Sequence, residues 1–199
     1  MSGITQWDLQ ILMWLQENVR TDWLTPVMKG VSFLGDGGWF FILFAIVLTV
    51  NKKTRRTGWI CVANLALAIL CCNVILKPLI ARVRPYDLYA PLIPLGHEND
   101  FSFPSGHTNC AFAVAFVLMR AWRSGKERVI AWCMLVLSVL IAFSRLYLGV
   151  HYPTDVIAGI LLPYLTMQVV WYFLVRKGLL DQWTAKAAKK REARKNKEV

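Results

Sequence analysis

The stretch VIAWCMLVLSVLIAFSRLYL, residues 129–148, decides the fold class of this chain. It has twenty residues, and its one charged side chain is Arg145 near the carboxyl end. About 20 consecutive apolar residues in a helix match the roughly 30 Å hydrocarbon layer of a bilayer, whereas a surface helix of a soluble domain keeps a polar face. The stretch therefore predicts a membrane-spanning helix.

Four further apolar stretches accompany it, at residues 39–50, 59–76, 109–122 and 156–175. The first is short, and Gly35, Gly37 and Gly38 lie just before it, so we expect its amino-terminal end to be bent or covered by protein. We predict an all-α integral membrane bundle with five or six transmembrane helices. The sequence leaves open whether residues 23–34 form the sixth.

The composition fits a lipid environment. Of the 199 residues, 56% are hydrophobic and 18% charged, and the mean hydropathy is +0.44. The formal net charge is nevertheless +11. A disordered nucleic-acid-binding arm would be poor in apolar residues, so we expect the bilayer, and no nucleic acid, as the partner of this charge.

Most basic residues lie on one side of the predicted membrane. Seventeen of the 23 lysines and arginines lie between the first and second spans, between the third and fourth, or after residue 175. Five alternating spans bring these segments to one side, which the positive-inside rule assigns to the cytoplasm. We predict an interfacial region (residues 1–35), a transmembrane domain (36–175) and a basic cytoplasmic tail (176–199) that contacts anionic lipid headgroups.

The N-terminal residues 4–19 predict an amphipathic helix in the outer membrane interface. Apolar residues recur at helical spacing against polar ones. The apolar set is Trp7, Ile11, Trp14, Leu15 and Val19, and the polar set is Asp8, Gln10 and Glu17.

A few cations remain on the opposite, outer side: Lys77, Arg82, Arg84 and Arg145 lie at the outer ends of the second and fourth spans. The positive-inside rule gives no reason for them, and charges at this depth are functional candidates. For Arg82 the sequence leaves open a simple contact with a lipid headgroup. We expect Pro78 to end or kink the second span and so aim Lys77.

The segment Pro104-Ser105-Gly106-His107 opens the third span. Free backbone N–H groups at a helix start favour an anion, and Ser105 is a potential cap. Together with Lys77, Arg84 and Arg145, this segment describes a phosphate-binding site. Taken alone, such a segment is usually just an ordinary helix cap.

His151 and Asp155 lie four residues apart, at the start of the fifth span. This spacing puts both on one helix face, so the carboxylate can hold the imidazole Nδ1–H and leave Nε2 as a nucleophile. His107 could then protonate the leaving oxygen. A metal site built from His107, His151 and Asp155 is the rival hypothesis, which we disfavour because three nearby cations would repel a divalent ion.

At these positions the sequence resembles the type 2 phosphatidic acid phosphatase family, which shares its site with vanadium haloperoxidases. The resemblance covers residues 77–155 and rests on eleven fixed positions. They are Lys77, Arg84, Pro85, Pro104, Ser105, Gly106, His107, Ser144, Arg145, His151 and Asp155.

The resemblance implies a phosphatase reaction without metal or other cofactor. His151 would form a phosphohistidine, Asp155 would orient it, and His107 would act as general acid and later as base. The phosphate-binding residues would be Lys77, Arg84, Ser105, Gly106 and Arg145. Pro85, Pro104 and Ser144 would support the site, while His97 and Glu98 are expected to be exposed in the outer loop.

We expect a hydrolase that removes a terminal phosphate from a membrane lipid at the outer, periplasmic face. Undecaprenyl pyrophosphate and phosphatidylglycerophosphate are ranked first by analogy with the family, and phosphatidic acid third. Two alternatives stay open: a lipid phosphotransferase using the same residues, and a non-enzymatic lipid transporter or binding protein. The sequence does not indicate an oligomeric state.

Overall fold

The computed structural model describes residues 3–182, except for the side chain of Ile4, and is helical, with no strand in that range. Along the described part of the chain, the α-helices with defined bounds are α1 (Gly3–Asn18), α2 (Leu24–Phe33), α3 (Trp39–Val50), α4 (Arg55–Ile69), α5 (Lys77–Ile80), α6 (Pro85–Leu88), α7 (Gly106–Ala121), α8 (Gly125–Tyr147) and α9 (Pro153–Trp171). A 3₁₀ turn (Asp36–Gly38) precedes α3, and π-helical segments follow α4 (Leu70–Leu76) and α9 (Tyr172–Arg176).

Among residues 3–182, four helical segments are long and apolar enough to cross a bilayer. They are Leu24–Val50, Arg55–Leu88, Gly125–Tyr147 and Pro153–Arg176. This confirms an all-helical multi-pass membrane protein, whereas five or six spans stay a prediction. The first segment joins residues 24–33 to α3 through a bend at Gly37 and Gly38, whose φ angles of 57° and 71° are left-handed.

Helix α7 forms the centre of the bundle. It packs against α4, α8 and α9, and Ala111, Ala113 and Ala115 are fully buried within it. Small side chains let membrane helices approach closely. At its first turn Gly159 of α9 comes so near that an added Cβ would lie 2.9 Å from the Ser105 carbonyl oxygen. This close packing fixes the start of α7 against the start of α9.

A buried polar cluster joins three of these helices. Asn64 of α4 donates to the Ala113 carbonyl at 2.8 Å and accepts a hydrogen bond from Thr166 of α9 at 2.8 Å. Its amide also lies 3.4 Å from the carbonyl oxygen of Pro163, inside α9. Hydrogen bonds between helices hold polar groups in an apolar medium and restrict how the helices slide.

The π-helical segment determines where Lys77 points. The backbone N–H of Lys77 donates to the carbonyl of Cys72, five residues earlier. The following residue, Pro78, has no backbone N–H to donate. Such a widened turn shifts the register of side chains that follow it. The Lys77 side chain is consequently turned into the bundle and is 9% exposed. A distortion was expected from Pro78, and the structure shows it as a π turn.

Helix α1 is present as predicted, but its faces are arranged differently. Asp8, assigned to the polar face, is fully buried against the protein together with Leu12 and Leu15. Trp7 and Trp14 are 60% and 58% exposed. The assignment of Leu15 to the face of the tryptophans was therefore wrong, because α1 buries its Leu12–Leu15 side on the bundle and turns both tryptophans outward. The interfacial location of this helix stays a prediction.

Most of the predicted basic tail lies outside the described residues, so its expected contact with anionic lipid stays a prediction. The segments that carry the other basic clusters, around residues 51–54 and 122–126, lie at the same end of the bundle. The polar outer-side residues of the sequence all lie at the other end.

Candidate active site

The helix ends bring the sequence-predicted residues together at one end of the bundle. Lys77 comes from the carboxyl end of the second span, His107 from the start of α7, Arg145 from the end of α8, and His151 from the turn before α9. A cavity of about 160 Å³ opens here. Its lining includes Lys77, Arg84, Gly106, His107 and His151 together with Glu98 and Asp100.

The three predicted phosphate-binding cations are buried and paired with loop carboxylates. Lys77 and Arg84 both contact the carboxylate of Asp100, and Arg145 contacts that of Glu98. Arg145 also donates to Ser32 Oγ at 2.5 Å. The three cations are 9%, 3% and 3% exposed, and Lys77 and Arg84 line the cavity. Buried ammonium and guanidinium groups can bind a phosphate through charge-assisted hydrogen bonds, and this role stays a prediction.

Both carboxylates are ionised at neutral pH. Partial burial would favour their neutral forms, but Lys77 and Arg84 outweigh it and lower the pKa of Asp100, as Arg145 lowers that of Glu98. A phosphate that enters the cavity therefore competes with two anions for the same cations. The expectation that Glu98 is solvent-exposed was wrong, because its side chain is 28% exposed and ion-paired, whereas His97 is exposed as expected.

The His151–Asp155 pair has the predicted relation across one helical turn. The distance from His151 Nδ1 to Asp155 Oδ2 is 3.5 Å, slightly longer than an ordinary hydrogen bond. His151 Nε2 lies 3.5 Å from Arg84 Nη1, on the cavity side. Burial of the ring, with Arg145 and Arg84 nearby, lowers the pKa of His151 to about 3. The imidazole is thus neutral at pH 7, with an electron pair available for attack on phosphorus.

His107 has a partner that the sequence did not indicate. Its Nε2 lies 2.7 Å from Asp36 Oδ1, in the 3₁₀ turn before α3. Burial of the ring and the nearby Arg145 lower the pKa of His107 to about 4, although Asp36 favours the imidazolium, so the ring is neutral at pH 7 before substrate binds. The negative charge of a bound phosphate would favour the imidazolium, the form that a general acid requires. Gly35 makes room for the ring, since an added Cβ would lie 2.8 Å from His107 Cδ2.

Four further motif residues, Pro85, Pro104, Ser105 and Ser144, lie outside the cavity lining. Ser105 is fully buried and its hydroxyl pairs with Thr108 Oγ1 at 3.0 Å, so its phosphate contact stays a prediction. Pro85 and Pro104 are buried, and Ser144 Oγ donates to the Ile141 carbonyl within its own helix. These contacts suit the supporting role predicted for Pro85, Pro104 and Ser144.

Comparisons with known proteins identify the family of this chain. Residues 56–179, more than half of the chain, match the PAP2 superfamily. The chain belongs to the PAP2 superfamily. Phosphatidylglycerophosphatase B of Bacillus subtilis is 35% identical over 169 residues, covering 79% of this chain and 76% of that protein. Undecaprenyl-diphosphatase BcrC of the same organism is 30% identical over 141 residues, covering 69% and 68%.

A solved structure gives the same result for the fold. The crystal structure of a transmembrane PAP2-type phosphatidylglycerolphosphate phosphatase from Bacillus subtilis aligns with a TM-score of 0.71 and 30% identity. The alignment covers 87% of each chain. The arrangement of helices described above is therefore that of a membrane PAP2 protein.

Sequence reasoning missed five residues of this PAP2 site, which lie outside the fixed motif positions: Asp8, Asp36, Glu98, Asp100 and Ser102. Four belong to segments far from their partners in sequence. Four of the five are acidic, in a chain with twelve acidic residues, and this was the one available signal; Ser102 gave none.

Gly35→Ala tests how tightly His107 is held. The new methyl group must displace the imidazole, and a shift of this size costs roughly 10²-fold in rate. We expect kcat for lipid phosphate hydrolysis to fall by about that factor. Thermal stability is measured alongside, because the added Cβ would also lie 3.1 Å from Ile141 Cγ2 in the core. Gly30→Ala, where the added Cβ meets nothing within 4 Å, is the matched control. Equal activity of the two variants would contradict a close steric limit on His107.

Proposed function

We propose that this PAP2 protein removes the terminal phosphate of a membrane lipid through a phosphohistidine on His151. The observation that carries the proposal is one cavity lined by a neutral buried histidine, a second histidine with a carboxylate partner, and the buried cations Lys77 and Arg84. The third cation, Arg145, is ion-paired with Glu98 of the same lining. Each of these groups has a distinct task in phosphoryl transfer.

In the first step, His151 Nε2 attacks phosphorus while the bond from phosphorus to the leaving oxygen breaks. His107 gives its proton to that oxygen, and Asp155 stabilises the positive charge that develops on the His151 ring. The lipid leaves with the proton, and the phosphoryl group stays on nitrogen. In the second step, His107 takes a proton from water, whose oxygen attacks phosphorus as the bond to His151 breaks.

The cations lower the barrier of both steps by binding the equatorial phosphate oxygens. They are fixed by burial before substrate arrives, so little reorganisation is needed during reaction. Arg145 Nε is buried and has no hydrogen-bond partner among the described residues, so it is a free donor for such an oxygen. We propose that the phosphate displaces the carboxylates of Asp100 and Glu98 when it binds.

We propose undecaprenyl diphosphate and phosphatidylglycerophosphate as the substrates, since relatives that share 30% and 35% of their residues are named for them. The site would lie at the outer, periplasmic face and the carboxyl terminus in the cytoplasm, as the basic loops at the opposite end indicate. The lipid tail would extend sideways into the bilayer while the phosphate enters the cavity.

The proposal is tested by release of inorganic phosphate from purified protein in detergent. The panel contains undecaprenyl diphosphate, phosphatidylglycerophosphate and phosphatidic acid, each with and without a metal chelator. We expect release from at least one of the first two lipids, unaffected by chelator and without added acceptor. No release without an acceptor lipid would indicate the phosphotransferase, and loss with chelator that a divalent ion restores would overturn the metal-free mechanism.

A further inference from the structure

Arg82, which lies outside the family motif, is the centre of a buried network beside His151. Its Nη1 donates to Asp155 Oδ1 at 2.5 Å and to Thr154 Oγ1 at 2.7 Å, and its Nη2 donates to Asp8 Oδ2 at 2.8 Å. The guanidinium lies 3.7 Å above the ring of Tyr152. The side chain is 20% exposed, but both of its terminal nitrogens already donate to protein acceptors, so lipid headgroups are not needed to pair its charge.

Asp8 supplies the other end of this network from a distant part of the chain. It is fully buried on α1, where its Oδ1 accepts from the Thr154 backbone N–H at 3.1 Å and its Oδ2 from the Thr154 hydroxyl at 2.5 Å. A fully buried carboxylate is costly unless it is paired and hydrogen-bonded. Both conditions are met here only because α1 docks at the start of α9.

We infer that Asp8 and Arg82 are positioning residues for the reaction and act through Asp155 on His151. This inference rests on the proposed function, because its main readout is phosphate release. The N-terminal helix is then a part of the active site's support and not only a membrane anchor.

The two oxygens of Asp155 explain how the network acts. Oδ2 faces His151 Nδ1 and accepts from Ser102 Oγ at 2.5 Å and from the Tyr152 backbone N–H at 3.0 Å. Oδ1 is held by Arg82. Rotation of the Asp155 carboxylate would break the hydrogen bonds of both oxygens. Arg82 therefore keeps Oδ2 directed toward the imidazole. Asp8 in turn fixes the guanidinium and balances the charge that Arg82 shares with Asp155.

Asp8→Asn tests the inference in the full-length protein. The amide removes the charge and turns an N–H₂ donor toward donors on Arg82 or Thr154, so the guanidinium loses its fixed position. We expect kcat to fall about tenfold with KM within about twofold, since substrate binding does not use this network. Asp22→Asn is the matched control, because Asp22 is exposed, follows α1 and lies outside the site. Equal kcat for both variants would overturn the inference.

A double-mutant cycle separates positioning from simple anchoring of α1. Lysine at position 82 keeps the charge but cannot span Asp8 and Asp155 with one fork. If Asp8 acts through Arg82, Asp8→Asn lowers kcat by less than twofold in the Arg82→Lys background. If Asp8 only anchors the helix, the two losses multiply, and the inference fails. If Asp8→Asn does not fold, the test rests on Arg82→Lys, for which we expect a lower kcat at unchanged KM. A wild-type kcat in Arg82→Lys would refute the inference.

A readout without substrate distinguishes failure of the inference from failure of the proposed function. With three histidines in the chain, the ring nitrogens of His151 can be assigned by ¹⁵N NMR. We expect the Nδ1–H tautomer in the wild type and a larger Nε2–H population in Asp8→Asn but not in Asp22→Asn. A wild type that hydrolyses none of the lipids would reject the proposed function alone, whereas identical tautomers in all three proteins would reject the inference.

Discussion

Replacement of His151 with alanine should abolish phosphate release from every lipid that the wild-type protein hydrolyses. The residue supplies the only atom proposed to bond to phosphorus, and loss of a nucleophile lowers kcat by roughly 10⁴-fold or more. Its ring is 1% exposed and lies beside the cations, so water cannot take over its position without rearrangement. The measurement is inorganic phosphate released by the variant and by wild type in the same detergent.

His97→Ala is the matched control for this loss. His97 is an exposed histidine of the outer loop, whose ring meets the edge of Tyr86 and lies outside the cavity lining. We expect it to keep wild-type activity within about twofold, as surface substitutions usually do. Activity of His151→Ala above about a hundredth of wild type would contradict a nucleophilic histidine. It would favour direct attack by water. A wild type that hydrolyses none of the lipids would instead favour a lipid transporter or binding protein.

Replacement of Arg84 with glutamine should lower kcat/KM by roughly 10²–10³-fold, the usual cost of losing a fixed donor to a transition-state oxygen. Arg84 is held on several sides: its Nη1 donates to the Val150 carbonyl at 2.6 Å, and its Nε to the Asp100 carbonyl at 2.8 Å. It therefore stands beside His151 before substrate binds. Steady-state kinetics on the better of the lipid substrates measure the effect.

The contribution of the Arg84 side chain's geometry can be separated from that of its charge. Arg84→Lys keeps the positive charge but lacks the planar guanidinium, so we expect its kcat/KM to lie between that of wild type and that of Arg84→Gln. Arg123→Gln, an exposed arginine at the opposite end of the bundle, is the control for a lost cation. If Arg84→Gln were no slower than Arg123→Gln, the cations would not form the phosphate-binding site.

The sequence alone predicts the membrane helices well because their cause is local. The apolar stretch 39–50 coincides with α3, and the stretch 129–148 falls within one residue of the carboxyl end of α8. Hydrocarbon thickness fixes the length of such stretches, and no distant contact can override it. The motif residues are equally local signals, since helix ends and fixed spacing bring them to one end.

The sequence could not predict contacts that depend on tertiary packing. Asp8 has a polar side chain at a helical position typical of a solvent-facing residue, yet the docking of α1 buries it against Arg82. Asp36 reaches His107 only because the turn before α3 lies over the start of α7. Glu98 and Asp100 belong to a loop without periodicity, so nothing in their surroundings indicated that they would contact buried cations.

The proposed mechanism is tested most directly by trapping the intermediate. Wild-type protein is mixed with lipid that carries a labelled terminal phosphate, quenched with base within the first turnover, and digested for mass spectrometry. We expect an acid-labile, base-stable label on His151, formed at least as fast as phosphate is released, and no label in His151→Ala. Release of phosphate without any label, or with the label on another residue, would contradict a phosphohistidine at His151.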